Sequence, residues 1–346
     1  MADTSPTAVE LVGLEDVAEE AILTLLRRSL GEAAFERSAE FWRWKHRESP
    51  FGPSPGLAAM AGGRPVALRL FLRWLWCGRD GSAPAVRAVD TATDPDWQRR
   101  GLFRRLTLEL VERLEGEGVA FVFNTPNRKS RRGYLAMGWS DVGRLPLMVR
   151  MHRPWRMGRR LLGRRRPEAA VPPPPLPAPL RPIDGLLAEP ALPRFLDRWA
   201  AGEARWHTPR DVRYLSWRYA SCPVATYRAA WRLAGGSGAV LVARIRNRRG
   251  LAELSLSEVL ASTDTTGREA LGELLDQVDE TGEHDYCVAM AATPSLERDV
   301  LARKGFLPAT PVAPRLTVRR LADNASGPDP GRMESWRPSI GDLELF

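Results

Sequence analysis

Gln98, Arg99, Arg100 and Gly101 follow a strand-like run, Ala85 to Thr93, and open into a helical stripe of Leu102, Leu106, Leu110, Val111 and Leu114. A helix N-terminus leaves backbone N–H groups unpaired and carries about half a positive charge, so it is a ready anion site. A glycine at that point permits close backbone approach, and two arginines add charge. The arrangement suits a pyrophosphate. Further along, after the apolar run Val119 to Phe123, come Asn127, Ser130, Tyr134 and the pair Gly138-Trp139. Taken by itself, Tyr134 is a core aromatic of a short helix.

The first stretch resembles the Gln/Arg-x-x-Gly-x-Gly/Ala loop of the GNAT acetyltransferase superfamily, which grips the pyrophosphate of coenzyme A. Gln98 and Gly101 match it, and Phe103 stands where the family has a small residue. The second stretch resembles the family's Asn, small residue, Tyr and Gly-Phe at the same spacings. The resemblance implies that Gln98, Arg99, Arg100, Gly101, Leu102 and Phe103 hold the pyrophosphate, and that Asn127 and Ser130 lie along the pantetheine arm. It also implies that Val89 and Thr91 meet that arm through their backbone. Tyr134 would protonate the leaving thiolate, a role that typically contributes roughly 10²–10⁴-fold. Many relatives carry a glutamate as base on this strand. None stands between Arg79 and Leu108, and Asp90 is the nearest acid, so it is the candidate base.

Several elements must position these groups. Residues 8 to 35 read as helix, with Val17, Ala21, Leu25 and Leu26 near period 3.6. Pro65 to Cys77 alternates Leu68, Leu70 and Leu72 against Arg69 and Arg73, as a half-buried strand does. Val119 to Phe123 and Leu145 to Met151 read as strands, and Ser130 to Met137 as a helix closed by Gly138. The whole is an α/β alternation.

The pattern then recurs. Phe41-x-x-Trp44-Lys45 is echoed by Tyr214-x-x-Trp217-Arg218, Gly101 by Gly267, and Tyr134 by Leu301, at offsets of 173, 166 and 167 residues. A near-constant offset is the mark of an internal duplication. Val240 to Ile245 and Leu251 to Leu260 read as paired strands. Gly267 begins a helix, and Tyr286 to Met290 is a strand. The predicted architecture is α/β, with two tandem GNAT-like domains, each a mixed, mostly antiparallel twisted sheet flanked by helices. Residues 1–150 form the catalytic domain, 151–183 an Arg- and Pro-rich linker, 184–321 the degenerate domain, and 322–346 a C-terminal tail. In the second copy Asp264 stands near the place of Gln98 and would repel a pyrophosphate, while Leu301 cannot protonate a thiolate. Trp44 and Trp217 read as core anchors.

The formal charge is +9, and only three of the basic residues are lysines, Lys45, Lys129 and Lys304. Such an arginine skew is in large part compositional. Arg150 to Arg166 holds eight arginines and no acid, and reads either as a solvated linker or as a peripheral membrane contact helped by Trp155, Leu161 and Leu162. Three distant cysteines and four scattered histidines predict neither disulfides nor a metal site. No apolar run approaches the roughly 20 residues of a membrane span. Residues 1–10 lack a signal pattern, so a cytoplasmic protein is expected. The expected reaction moves an acetyl group from acetyl-CoA, a co-substrate, to a primary amine of an unspecified acceptor. Two further readings stay open. One is a Fem-type aminoacyl transferase using aminoacyl-tRNA, against which the coenzyme loop argues. The other is a non-catalytic protein at a membrane surface.

Overall fold

The computed structural model describes residues 9–30, 38–156, 158, 174–248, 250–322 and 327–343. Two seven-stranded mixed sheets form the frame. In the first, β1 (Glu10–Gly13), β2 (Gly56–Ala61), β3 (Arg64–Gly78) and β4 (Gly81–Thr93) pair antiparallel in order. β5 (Phe121–Asn124) joins β4 in parallel, and β6 (Ser140–Arg144) forms the far edge. The second sheet follows the same plan from β8 (Arg181–Pro182) through β9 (Arg228–Ala234), β10 (Ser237–Arg248) and β11 (Leu251–Ala261). There β12 (Tyr286–Met290) is parallel to β11, and β13 (Leu307–Pro308) is the far edge.

The seventh strands are exchanged. β7 (Leu147–Met151) pairs antiparallel with β12, and β14 (Arg315–Arg320) inserts between β5 and β6. The strand read at the end of the first unit thus completes the second sheet, and the boundary expected at residue 150 falls within it. A sequence pattern sets which face a strand buries but not which sheet it joins, so this exchange is invisible to periodicity.

Local chemistry explains the helices that matter. α1 (Glu19–Leu30) buries Ile22, Leu23, Leu25 and Leu26 against Leu68 and Leu70 of β3. It begins later than expected, because Glu10–Gly13 instead pairs with β2 as an edge strand. α2 (Ala39–His46) is capped by Ser38, whose side chain accepts from the Phe41 N–H. α3 (Leu102–Glu115) buries the predicted stripe Leu102, Leu106, Leu110, Val111 and Leu114 on the opposite face of the sheet. Truncating such a leucine to alanine typically costs about 2–5 kcal/mol. α4 (Arg128–Leu135) follows β5 and ends before Gly138, whose φ of 93° explains the glycine. In the second half, α5 (Ile183–Leu187), α6 (Leu192–Ala201) and α7 (Val212–Leu215) precede the sheet, and α8 (Thr265–Glu280) and α9 (Leu296–Arg303) pack on it.

One large apolar cluster joins the halves, bringing together Trp44, Trp74, Trp76, Trp206, Trp217 and Trp336. Trp336 belongs to the stretch read as a tail. That reading is corrected for residues 327–343, because Trp336 is buried and Asp342 is fully buried against Arg210 at 2.9 Å. Glycine and proline here mark an irregular path rather than an unfolded one. No helix among the described residues is long and apolar enough to cross a membrane.

Candidate functional site

β4 and β5 are hydrogen-bonded only over Ala85–Arg87 and Phe121–Phe123. Beyond that point β4 continues to Thr93 while β5 ends at Asn124, so the two strands are no longer hydrogen-bonded to each other there. A bulge lies in the same part of β4. Arg69 pairs with Thr91 and Phe71 with Ala88, so Leu70 faces two residues, Val89 and Asp90. Bulges re-aim side chains and end regular pairing. Here Asp90 turns toward α2, while the Thr91 hydroxyl meets Arg69.

The loop into α3 is open to solvent. Gln98, Arg99, Arg100 and Gly101 are exposed. Gly101 is the N-cap, with φ 75°, and no side chain caps the helix. Space around it is free, since a Cβ there would meet nothing within 4 Å. Arg99 has φ 62° and is the one described non-glycine residue with a positive φ. Two left-handed residues so close together make a tight turn into the helix, whose first N–H groups have no side-chain cap. Arg100 lies over the Trp97 ring at 4.5 Å and donates to the Asp96 carbonyl at 3.1 Å. Leu102 is buried in the core, so its side chain is turned away from the loop.

Phe103 stands edge-on to Tyr134, with ring centroids 5.7 Å apart at 87°. The large residue at this position therefore backs the tyrosine and leaves the Gly101 side of the loop open. Asn127 caps α4, its Oδ1 accepting from the N–H groups of Lys129 and Ser130 at 2.9 Å each, and the Ser130 hydroxyl also donates to it at 3.2 Å. Its side-chain oxygen is thus committed to the helix, leaving its amide N–H₂ for any further contact.

Arg69 is the residue that sequence reasoning missed. It is fully buried on β3. One Nη1 donates to the Val89 carbonyl at 2.8 Å and to the Thr91 hydroxyl, and Nη2 donates to the Tyr134 hydroxyl oxygen at 2.9 Å. Its Nε has no partner, and no carboxylate among the described residues pairs with it. Burial pulls the guanidinium below its ordinary range, opposed by the Tyr134 oxygen and by Asp90. A guanidinium cannot accept a hydrogen bond, so the Tyr134 hydrogen must go elsewhere, and no described residue takes it. Val89, read as a backbone contact for the donor, has its carbonyl taken by Arg69. The signal in the sequence was an arginine in the middle of an apolar strand, which the alternation pattern had assigned to the solvent face.

Asp90 is not free to act as a base. Its Oδ2 accepts from Lys45 Nζ at 2.5 Å and from His46 Nε2 at 2.9 Å. Burial opposes its charge, yet the Lys45 ammonium and the His46 contact hold its carboxyl far below the usual carboxylate range. So weakly basic a group accepts protons poorly, and direct proton abstraction by Asp90 is corrected on that ground.

The corresponding place in the second half is closed. β11 and β12 pair only over Glu253–Ser255 and Tyr286–Val288, and β11 has its own bulge at Ser257. Gly341 N–H donates to the Ser257 carbonyl at 3.0 Å, and Ser339 donates to Glu258 at 3.0 Å. Arg337 pairs with Glu203 and Glu297 at 2.6 Å each. What remains is a cavity of about 20 Å³ lined by residues including Arg210, Glu258, Ser295 and Arg337. The mouth of α8 is also stoppered. Asp264 caps it by accepting from Gly267 N–H at 2.9 Å, and a Cβ on Gly267 would lie 2.1 Å from the Ser262 carbonyl oxygen. Leu301 is fully buried.

Two of the scattered histidines meet. His152 and His284 stack at 4.7 Å, with Asp279 3.0 Å from His152. Arg150 already neutralises that carboxylate at 2.6 Å. Of the basic run, Trp155 is 86% exposed, while residues 157 and 159–173, with Leu161 and Leu162, lie outside the described residues.

No protein-family model matches the chain, and no curated protein matches its sequence. Solved structures do match its fold. A GCN5-related N-acetyltransferase from Anabaena variabilis superposes with a TM-score of 0.63 at 10% identity, over 91% of this chain and 73% of that one. A probable N-acyltransferase from Enterococcus faecalis gives 0.59 at 12% identity, over 91% and 72%. Eis1 from Mycobacterium abscessus gives 0.53 at 15% identity, over 91% and 74%. The two bulged sheets, the parted parallel strands and the uncapped helix mouth thus sit in a chain whose fold is that of the GCN5-related N-acetyltransferases.

Proposed function

We propose that this protein is an acyl-CoA-dependent N-acyltransferase that moves an acetyl group from acetyl-CoA to a primary amine by direct attack. The observation that carries this reading is the contrast between two helix mouths in equivalent places. α3 opens on Gly101 with free space and no capping side chain, whereas α8 is stoppered by Asp264. One half therefore retains an anion site that the other has closed. In this reading the chain is a tandem of two such domains, with one working site.

The residues present fit a coenzyme. Backbone N–H groups at Gly101, Leu102 and Phe103 would hold the pyrophosphate, with Gln98, Arg99 and Arg100 around it. The place where β4 and β5 part would take the pantetheine arm, bordered by Asn127 and Ser130 on one side and Val89 to Thr91 on the other. Tyr134 is buried on α4, its oxygen accepts from Arg69, and no described residue takes its hydrogen; in this reading it faces the thioester. It would give this proton to the thiolate as the C–S bond breaks. The closed second half would support the first through the shared core and the exchanged strands.

The test is thermal. Acetyl-CoA or coenzyme A should raise the melting temperature, because a ligand that binds only the folded state stabilises it by mass action. Tyr134→Phe should keep that shift and lose turnover. A folded protein whose melting temperature ignores coenzyme A would reject the reading.

A further inference from the structure

Near the place where β4 and β5 part, on the face of the sheet covered by α1 and α2, lies a buried polar array that the steps above do not use. Lys45 and His46, at the end of α2, are 2% and 4% exposed. His46 Nε2 lies 2.9 Å from Asp90 Oδ2, and His46 Nδ1 lies 2.9 Å from Ser54 Oγ. The Trp42 ring flanks the imidazole at 4.3 Å. Lys45 of its own helix and Asp90 of β4 are the charged groups that face His46.

Donor and acceptor roles in this array are fixed by elimination. An ionised carboxylate only accepts, and Lys45 keeps Asp90 ionised, so the hydrogen of the ring is on Nε2. Burial, with Lys45 beside it, holds His46 below the usual imidazole range in spite of Asp90, which favours the neutral ring with a lone pair on Nδ1. Ser54 must then donate its hydrogen to Nδ1. Its own lone pairs are left facing away from the histidine, and no described residue donates to them. Ser54 is only half-buried, and Asp90 lies in the bulge of β4, where its pairing with β5 has ended.

We infer that Ser54 and His46 form the proton-accepting relay for the amine, with Asp90 and Lys45 as positioning residues that set the tautomer. This rests on the acyltransferase reading and supplies the base which that reading lacks. As the amine nitrogen bonds to the thioester carbon, its N–H proton passes to Ser54 Oγ, and the electron pair of that bond stays on nitrogen. The Ser54 proton moves to His46 Nδ1, giving an imidazolium beside the Asp90 carboxylate. The C–S bond breaks with its pair on sulfur, and Tyr134 protonates the thiolate. The imidazolium then loses its proton to water, and the Tyr134 oxygen regains one from water.

The test compares wild type with Ser54→Ala and His46→Gln in coenzyme A release against pH, with acetyl-CoA and a panel of primary amines. Ser54→Ala removes one half-buried hydroxyl and keeps the fold. It should lower kcat by about tenfold or more, since a positioned base contributes roughly 10²–10⁴-fold. The melting shift with coenzyme A should be unchanged in both variants. The wild-type rate should rise with pH through the titration of His46, and that limb should vanish in His46→Gln. Nitrogen-15 NMR of the four histidines, with His46 assigned from His46→Gln, should give a neutral Nε2–H ring at pH 7. A Ser54→Ala enzyme with wild-type kcat, or a His46 ring protonated on Nδ1 at pH 7, would overturn the relay while the coenzyme shift leaves the acyltransferase reading standing. Absence of the shift itself would remove both.

Discussion

The indole N–H of Trp44 donates to the backbone carbonyl of Trp217, and that of Trp217 donates to the backbone carbonyl of Trp44, both at 2.8 Å. Their rings stack at 5.2 Å and 19°. Equivalent residues of two similar halves thus meet each other across a local two-fold relation. The exchanged strands β7 and β14 repeat that relation at the level of the sheets.

Because each indole donates to a backbone carbonyl in the other half, Trp44→Phe or Trp217→Phe removes one buried hydrogen bond. Each should destabilise the protein by about 1–3 kcal/mol. The double variant should lose less than the sum, since the two residues share one contact. Denaturant unfolding of the four proteins measures this. Strict additivity would mean that the pair is not coupled.

Tyr134→Phe should cut kcat by roughly 10²–10⁴-fold, with coenzyme affinity retained. Arg69→Lys should also lower kcat, because a single ammonium cannot reproduce the planar fork that joins the Val89 carbonyl to the Tyr134 hydroxyl. Steady-state kinetics with binding measured separately will distinguish these effects. Loss of coenzyme affinity in Tyr134→Phe would assign the tyrosine to packing.

The two helix mouths should respond oppositely. Gly101→Val places a β-branched side chain at φ 75° and should weaken coenzyme A binding along with a stability cost of about 1–2 kcal/mol. Asp264→Ala removes a cap and should cost about 0.5–2 kcal/mol of stability with coenzyme affinity unchanged. Calorimetric titration and thermal melts of both variants check the contrast.

Stability should fall as pH drops below the ordinary histidine range. Burial, with His152 beside it, lowers the His284 pKa to about 4, and burial lowers that of His46. In the unfolded chain both titrate near 6.5. Between that value and about 4 the unfolded state binds protons that the folded state refuses, so the stability present above pH 6.5 is lost on acidification. Urea midpoints from neutral pH downward should decline, and His284→Gln should flatten the decline. Midpoints that rise on acidification would contradict it.

The legible parts of the fold were those with a local period. The α3 stripe, the β3 alternation and the β10–β11 pair follow from 3.6- and 2-residue repeats, because each buries one face against a neighbour. The exchange of β7 and β14 was not legible, since identical patterns satisfy either sheet. Asn127 was legible as part of a motif, but its capping role needed coordinates. Arg69 was hidden because an arginine on an alternating strand looks solvated until the opposite face is found covered by α3 and α4. Asp90 lies 44 residues beyond His46, and only the β4 bulge turns its carboxylate toward α2.

On the proposed function, one half of the chain holds an open anion site and the other half has closed its own. Titration calorimetry with coenzyme A tests this most directly. One coenzyme should bind per chain, with binding abolished when Arg99 and Arg100 are both changed to glutamate and preserved in Asp264→Ala. No binding, two sites per chain, or a single site indifferent to the paired arginine changes would contradict it.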